Sequence, residues 1–301
     1  MEKVLITGGS GFIGLEVKKA FSDFGLEVLT VGRSEKEDFK SDLQEGKVKN
    51  ILKDFLPDIV CHFASGSNIT RANKNKEKEF NETVLGTDCL IKILKTLAKK
   101  PKTFVYLSSQ AVYGLSETLP VSESHPTCPV TVYGENKLKA EKLIVESGIN
   151  YLIFRISSVY GPMQDPNKSG VVAKFVNKIK NNQSPIVFNS IDLYSDFIYI
   201  SDVVSAIVKA VRENNGPRSE IFNLGSGKPT TLKQLLDILY KTFPMAPKPI
   251  FEVNSLYPNK DEKGLYLDIT KIQTQLQWSC KYDIEEGLKL MIENNKCIES
   301  V

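Results

Sequence analysis

A cluster of glycines directly after the first apolar segment constrains the fold of this chain most strongly. Val4-Leu5-Ile6-Thr7 is a short run typical of a buried strand, and it leads into Gly8-Gly9-Ser10-Gly11. The following residues, through Phe21, place apolar side chains at helical spacing. The sequence therefore begins with a predicted strand, a tight turn and a helix.

The spacing Gly8-x-x-Gly11-x-x-Gly14 gives this turn a predicted function. Glycines at such a turn let backbone N–H groups approach a pyrophosphate, and the helix N-terminus favours its negative charge. A glycine triplet alone is weak evidence, but here the strand before it and the helix after it agree with a dinucleotide site.

Further apolar runs recur along the first half of the chain, at 26–31, 58–63, 103–107 and 151–156. They are separated by segments long enough for helices, such as 81–100 and 133–147. Parallel strands need such crossovers, so the pattern predicts an α/β protein with a Rossmann-type, doubly wound parallel sheet.

The alternation weakens after Pro162, which suggests a division of the chain. We expect a dinucleotide-binding domain at 1–162 and a smaller substrate-binding lobe at 163–301, with the chain crossing back to the first domain around 196–215. Predicted helices in the second part span 171–180, 203–211, 232–240 and 284–292, and predicted strands span 185–188, 197–200 and 220–224.

Charge and composition argue against several classes of protein. The net charge is +3, from 39 basic and 36 acidic residues, which is too diffuse for a nucleic-acid-binding surface. No apolar stretch approaches the ~20 residues of a membrane span, and no signal peptide is recognisable before Val4. The 5 cysteines lack a C-x-x-C pair and only 2 histidines accompany them, so we expect reduced thiols, no metal site and a cytoplasmic location.

The end of the second predicted strand bears on the choice of cofactor. An acid there would bind the ribose 2′-hydroxyl of NAD, but the chain has Gly32-Arg33-Ser34. Arg33 and Ser34 can bind a 2′-phosphate, which favours NADP(H), with NAD(H) as the alternative. Arg33 can also be a solvated loop residue close to Glu35 and Glu37.

A catalytic group is predicted from two neighbouring segments. Tyr133 and Lys137 lie four residues apart and so share one face of a predicted helix. A cation close to a phenol lowers its pKa and equips it for proton transfer. The strand 103–107 ends in Ser108-Ser109, at the sheet edge where this architecture binds ligands.

With these motifs the chain resembles the nucleotide-sugar epimerase/dehydratase/reductase branch of the extended short-chain dehydrogenase/reductases. The matching segments run along most of the chain: Thr7 to Gly14, Asp42-Leu43, His62-Phe-Ala64, Gly86-Thr87, Ser108 to Gly114, Pro129 to Glu141, Arg155, Val159 to Pro162, Asp196 to Asp202 and Phe222 to Gly227. The resemblance implies an NAD(P)-dependent enzyme acting on a nucleotide sugar, and a homodimer paired through helices at 81–100 and 133–147.

The resemblance also assigns roles to residues. Ser109 would orient the substrate carbonyl oxygen, Tyr133 would be the acid/base, and Lys137 would assist it and hold the nicotinamide ribose. The cofactor-binding residues that it implies are Gly8, Gly11, Phe12, Ile13, Gly14, Arg33, Ser34, Asp42, Leu43, Phe63, Ala64, Ser65, Tyr133 and Lys137.

Departures from the family pattern narrow the reaction. Dehydratases of the family carry an Asp-Glu pair after the catalytic hydroxyl, whereas this chain has Gln110 and Ala111, so dehydration is not expected. The candidate substrate-binding residues are Gln110, Ser158, Ser195 and Lys260.

The chain departs from the family pattern at three further points, namely Ser158, Ser195 and Pro258. Ser158 stands where many relatives carry asparagine, and Ser195 replaces an arginine that binds the substrate diphosphate. Pro258 replaces a second such arginine, and Lys260 is a cation close to it.

Three hypotheses remain open at this point. The first is NADP(H)-linked reduction of a keto sugar nucleotide, and the second is a 4-epimerase that retains NAD. The third is a module that senses a dinucleotide without catalysis.

Overall fold

A computed structural model describes residues 1–66, 69–168, 170–212, 219–253 and 264–296. The strands in chain order are β1 (Lys3–Thr7), β2 (Glu27–Gly32), β3 (Phe39–Lys40), β4 (Ile59–His62), β5 (Thr103–Ser109), β6 (Tyr151–Ile156), β7 (Ser158–Tyr160), β8 (Ile186–Phe188), β9 (Tyr194–Tyr199), β10 (Glu220–Leu224), β11 (Pro229–Thr231), β12 (Ile250–Glu252) and β13 (Gly264–Leu265).

The α-helices in chain order are α1 (Phe12–Asp23), α2 (Gly46–Phe55), α3 (Ile69–Lys74), α4 (Lys76–Phe80), α5 (Gly86–Lys95), α6 (Val132–Val145), α7 (Val171–Lys180), α8 (Ile200–Arg212), α9 (Leu232–Thr242), α10 (Thr270–Gln275) and α11 (Ile284–Lys296). A π-helical segment at Asn81–Leu85 joins α4 to α5, and a 3₁₀ turn at Gln110–Val112 follows β5.

The central sheet has seven strands in the order β10-β6-β5-β4-β1-β2-β3, and each of its strand pairs is parallel. The strand order reverses between β1 and β4, so their carboxyl ends form the crevice in which such sheets bind ligands. The predicted Rossmann-type fold is confirmed.

Helices cover both faces of this sheet, and the alternation of β1 shows why. Val4 and Ile6 face one cluster, which contains Phe21 of α1. Leu5 faces the other cluster, which contains Leu52 of α2. A strand buried on both faces must be apolar throughout, as this run is. Full burial of each such side chain contributes roughly 1.5–3 kcal/mol.

The second part of the chain builds a smaller layer with its own core. There β9 pairs with β11, β13 and β7, and helices α7, α9 and α11 contribute to a third apolar cluster. The chain also returns to the first part, since α8 packs on α1 and β10 forms the edge of the central sheet. The domain division at 162 stays a prediction.

Two predicted elements have different bounds in the structure. The helix expected at 81–100 starts with the π-helical segment and ends at Lys95. Pro101 disfavours helical backbone at Lys100, which argues against the predicted bound at 100. The strand expected at 197–200 spans Tyr194–Tyr199, because α8 already begins at Ile200.

No helix within the described ranges is long and apolar enough to cross a membrane. Cys61, Cys89, Cys128 and Cys280 are free thiols. Cys297 lies outside the described residues. Within the described part of the chain, no group of three or more His, Cys, Asp or Glu side chains could hold a metal ion.

We predict that Gly14→Ala lowers the free energy of unfolding by about 1–3 kcal/mol, because the new Cβ would overlap the carbonyl oxygen of Gly8. The control is Gly46→Ala in α2, where a Cβ meets no atom within 4 Å. This control should be neutral or stabilising by up to about 1 kcal/mol. Urea unfolding of both variants measures this, and equal stability of the two would contradict the close packing of the turn.

Candidate active site

The glycine-rich turn between β1 and α1 needs glycine for two physical reasons. Gly8 has a φ of +72°, a backbone conformation that L side chains rarely adopt. Gly14 packs so closely on the carbonyl of Gly8 that no side chain fits there. The amide of Gly8 donates to the carbonyl oxygen of Val31 at 3.0 Å, which joins the turn to β2.

The start of α1 fits the pyrophosphate of a dinucleotide. Its N-cap residue, Gly11, makes no side-chain cap, and its first turn contains no acidic residue. The first N–H groups of the helix therefore lack intrahelical partners and lie at its positive end. The side chains of Phe12 and Ile13 pack into the apolar core, so their backbone amides would make the contacts with a dinucleotide.

Arg33 lies beside acidic residues, at the rim of a cleft of about 500 Å³. Its Nη1 is 2.7 Å from Oε1 of Glu82 and 4.0 Å from Oδ2 of Asp42. The side chain of Glu82 is 9% exposed and also pairs with Arg71. The hydrogen bond to Glu82 raises the pKa of Arg33. The guanidinium thus has an acidic partner within the chain itself.

Glu37 lies beneath the glycine-rich turn. Its Oε1 accepts hydrogen bonds from the amide and the hydroxyl of Ser10, at 2.9 and 2.6 Å. A Cβ at Gly32 would lie 2.9 Å from this oxygen, so the carboxylate fills the space beside the end of β2. In the sequence, Glu37 stands out only as an acidic residue close to Arg33. Ser34 Oγ accepts a hydrogen bond from the amide of Lys36 at 3.2 Å and thereby caps a local turn.

The remaining predicted cofactor residues flank the same crevice. Asp42 lines the cleft of Arg33, while Leu43 is buried in the core. The amide of Ala64 donates to the hydroxyl of Thr7 at 3.2 Å, and the amide of Phe63 donates to the carbonyl of Thr7 at 3.0 Å. The segment after β4 is thereby held against the end of β1.

The carboxyl end of β5 and the first turns of α6 bring the three predicted catalytic residues together. The Ser109 hydroxyl lies close enough to the Tyr133 phenol to act on its pKa, and its Oγ accepts a hydrogen bond from the amide of Ala111 at 3.2 Å. Lys137 Nζ lies 5.7 Å from the centre of the Tyr133 ring. It also donates to Ser65 Oγ and to the carbonyl of Leu107, both at 2.7 Å.

Burial dominates the protonation of this group. It raises the pKa of Tyr133 to about 12, against the opposing effect of the Ser109 hydrogen bond. It lowers the pKa of Lys137 to about 8, and the charges of Glu79 and Glu141 counteract part of that change. The sequence predicts that the Lys137 cation lowers the pKa of the Tyr133 phenol. In this structure the burial of the phenol has the larger effect on that pKa and raises it.

A buried polar network supports β5 and α6 from below. The Ser108 hydroxyl donates to the carboxylate of Glu141, which accepts from Arg155 Nη2 at 2.8 Å. The Arg155 guanidinium lies over the ring of Tyr113, 4.9 Å from its centre. The Tyr113 hydroxyl donates to Asn223 Oδ1 at 2.6 Å. Ser108 therefore has a structural partner, whereas Ser109 points its hydroxyl to Tyr133.

The predicted substrate-binding residues divide into two places. Gln110 follows Ser109 directly, and within the described residues its Oε1 is buried without a hydrogen-bond partner. Ser158 and Ser195 meet through their hydroxyl oxygens at 3.0 Å, on β7 and β9. Lys260 lies outside the described residues.

The sequence predicts no role in the site for three acidic residues that lie around it, namely Glu37, Glu79 and Glu82. Glu79 is 1% exposed, and its Oε1 accepts the Thr83 hydroxyl at 3.0 Å. An acid four residues before a threonine in a helical segment is a weak signal. No spacing rule connects it to Lys137, because only the tertiary fold brings α4 to α6.

The sequence of this chain matches a known family and known enzymes. The model of the NAD dependent epimerase/dehydratase family matches residues 4–225. The chain is 32% identical to a putative UDP-glucose 4-epimerase of Methanocaldococcus jannaschii, covering 96% of this chain and 97% of the relative. It is 29% identical to a dTDP-4-dehydro-6-deoxyglucose reductase of Escherichia coli, covering 98% of each.

A solved structure agrees with these relatives over the whole chain. The UDP-glucose 4-epimerase of Thermotoga maritima with UDP-glucose superposes with a TM-score of 0.90, at 27% identity, covering 99% of both chains. The family model covers residues 4–225. This range contains the glycine turn, nearly all of the central sheet and the side chains of Ser109, Tyr133 and Lys137. The protein is an enzyme of the extended short-chain dehydrogenase/reductase type and belongs to the NAD dependent epimerase/dehydratase family.

Proposed function

We propose that this enzyme is a nucleotide-sugar 4-epimerase that binds NAD and retains it between turnovers. The observation that carries the choice of cofactor is the ion pair of Arg33 with Glu82 at 2.7 Å. The choice of reaction draws on the 32% identical relative described as a putative UDP-glucose 4-epimerase. This reverses the preference for NADP(H) that Arg33 suggested in the sequence.

The charges at the adenosine end favour a free ribose over a 2′-phosphate. A 2′-phosphate would compete with Glu82 for Arg33, because Glu82 already accepts a hydrogen bond from this guanidinium at 2.7 Å. Asp42, within 4.0 Å of Arg33, would repel a phosphate. Glu37 adds another carboxylate under the turn. Ribose hydroxyls, in contrast, can donate hydrogen bonds to carboxylates.

The arrangement of the catalytic group fits reversible oxidation at a sugar carbon. NAD held at the glycine-rich turn would supply the reversible hydride chemistry at that carbon. Tyr133 would accept the hydroxyl proton as the carbonyl forms and return it afterwards, while Ser109 donates a hydrogen bond to the reacting oxygen. Lys137, protonated, would stabilise the phenolate. Gln110 and Ala111 supply no carboxylate that could eliminate water.

A keto-sugar reductase is the second candidate. The Arg33 side chain is 55% exposed and so retains donors toward the cleft. A 29% identical relative is a dTDP-4-dehydro-6-deoxyglucose reductase. A reductase must exchange its cofactor in each turnover, whereas an epimerase regenerates it. A module that senses a dinucleotide without catalysis is not favoured, because the chain belongs to a family of enzymes.

We predict that the purified protein carries bound NAD and interconverts the 4-epimers of a UDP-hexose without net consumption of nucleotide. Tyr133→Phe, which removes the acid/base, should lower kcat by about 10²–10⁴-fold while NAD remains bound. Chromatography of the released nucleotide and of the sugar products measures both. Stoichiometric oxidation of NADPH by a keto sugar nucleotide would instead establish the reductase.

We predict that Arg33→Ala changes NADH affinity by about twofold or less, since Arg33 already pairs with Glu82. Glu82→Gln, the matched variant, should improve NADPH binding because it removes a charge that competes for Arg33. Fluorescence titration with both nucleotides tests this. Tighter NADPH than NADH binding by the wild type, lost by about ten- to a hundredfold in Arg33→Ala, would show that Arg33 binds a 2′-phosphate and would support the reductase.

We further propose a homodimer paired through α5 and α6. An exposed apolar side chain lies at one end of each helix: Leu85, directly before α5, is 38% exposed, and Val145, the last residue of α6, is 44% exposed. Light scattering should give twice the chain mass of 33.6 kDa. Val145→Glu should lower the apparent mass toward that of one chain. A wild type that already scatters as one chain at micromolar concentration would overturn the proposal.

A further inference from the structure

We propose that Glu79 is a positioning residue that keeps Lys137 protonated and orders the segment 65–66 beside it. This rests on the proposed function, in which the Lys137 cation assists Tyr133. Glu79 itself would touch neither the sugar nor the nicotinamide. It would act through Lys137 and through the backbone that Lys137 binds.

The burial of Glu79 calls for a physical reason. A carboxylate removed from water carries a large desolvation penalty unless charges or hydrogen bonds compensate it. Glu79 is 1% exposed. Thr83 donates to its Oε1 at 3.0 Å, while among the described residues its Oε2 has no hydrogen-bond partner. We therefore infer that the buried charge of Glu79 acts on a neighbouring group.

The backbone of Gly66 connects Glu79 to the catalytic lysine. The carboxylate occupies the space that a side chain at Gly66 would need. The amide of Gly66 donates to Thr83 Oγ1 at 2.9 Å, and this hydroxyl in turn donates to Glu79. The preceding residue, Ser65, accepts the 2.7 Å hydrogen bond from Lys137 Nζ. Glu79 and Lys137 therefore hold two consecutive residues of one segment.

The charged neighbours of Lys137 come from different elements. Glu79 approaches from α4, and Glu141 lies one turn further along α6. His62 on β4 also faces it, but burial lowers the pKa of that imidazole to about 3, so it is neutral. The rings of Tyr106 and Tyr133 have their centres 5.0 and 5.7 Å from Nζ.

Of the two carboxylates, Glu79 has the freer charge. Glu141 is neutralised by Arg155 at 2.8 Å. Burial is the largest influence on Glu79 and raises its pKa, whereas the Thr83 hydrogen bond and the charges of Lys137 and Arg71 lower that pKa, and the charge of Glu82 raises it. The attraction between Glu79 and Lys137 thus favours the charged form of both groups.

The consequence concerns the alkaline limit of activity. Burial lowers the pKa of Lys137 to about 8, and the Glu79 charge is the largest influence that opposes this. Without the Glu79 charge, Lys137 would lose its proton at a lower pH. The phenolate of Tyr133 would then lack its cation at a pH where the wild type still works.

The direct test follows the titration of Lys137 by NMR in the cofactor-free protein, from the ¹³Cε resonance assigned with Lys137→Arg. Glu79→Gln, which keeps the shape and removes the charge, should lower the titration midpoint. The control, Glu135→Gln, removes an exposed carboxylate from the helix that carries Lys137 and should leave the midpoint unchanged. A wild-type midpoint in Glu79→Gln would overturn the inference.

The kinetic test uses the pH dependence of kcat with the substrate established for the enzyme. For Glu79→Gln the alkaline limb should move to lower pH, and a shift of about one unit lowers kcat at about pH 9 by roughly tenfold relative to the wild type at the same pH. KM should change little, because Glu79 does not touch the sugar. A uniform loss of kcat at all pH values would show a merely structural role.

A further variant covers the possibility that Glu79→Gln does not fold, which circular dichroism would reveal. Glu79→Asp keeps the charge but withdraws it by one methylene, so the midpoint of Lys137 should move in the same direction by less. An unchanged midpoint in Glu79→Asp would then overturn the inference. If the midpoint moves but no sugar nucleotide is epimerised, the proposed function fails while the role of Glu79 stands.

Discussion

A buried ion pair joins Arg155 on β6 to Glu141 on α6, and much of the site depends on it. The side chains of the two residues are 6% and 3% exposed, and Arg155 donates to both carboxylate oxygens. Breaking such a buried pair typically costs about 3–5 kcal/mol, because one charge is left uncompensated. The pair therefore restricts where α6 can lie on the sheet. Since α6 carries Tyr133 and Lys137, it also restricts the catalytic group.

The same network reaches the strand that carries the catalytic hydroxyl. Glu141 accepts the Ser108 hydroxyl, so the residue next to Ser109 is anchored to α6. Parallel pairing sets Ser109 beside Ile156 of β6. The separation of Ser109 from Tyr133 is thus determined by a rigid frame of two strands and one helix. Rigid placement of this kind lowers the entropic cost of a reaction that needs several groups at once.

Charge is arranged differently at the two ends of the crevice. At the catalytic end, the buried cation Lys137 has Glu79 and Glu141 as its charged counterparts. At the other end, after β2, Arg33 is matched by Glu82 and Asp42 at the cleft surface. A basic residue after β2 is therefore not sufficient to indicate a 2′-phosphate. The acids that surround it decide whether its charge is available.

The sequence by itself determined the fold class, the glycine turn and the Tyr133–Lys137 pair. These depend on short-range periodicity: alternating buried strands, a turn that tolerates no Cβ at Gly14, and the four-residue repeat of a helix. Only the tertiary structure decided that Arg33 meets Glu82, that Glu37 lies beneath the turn, and that Glu79 faces Lys137. Those partners come from separate segments, and no local periodicity encodes which buried charge will meet which. Packing makes that choice, because a charge removed from water must find its partner wherever the fold brings one.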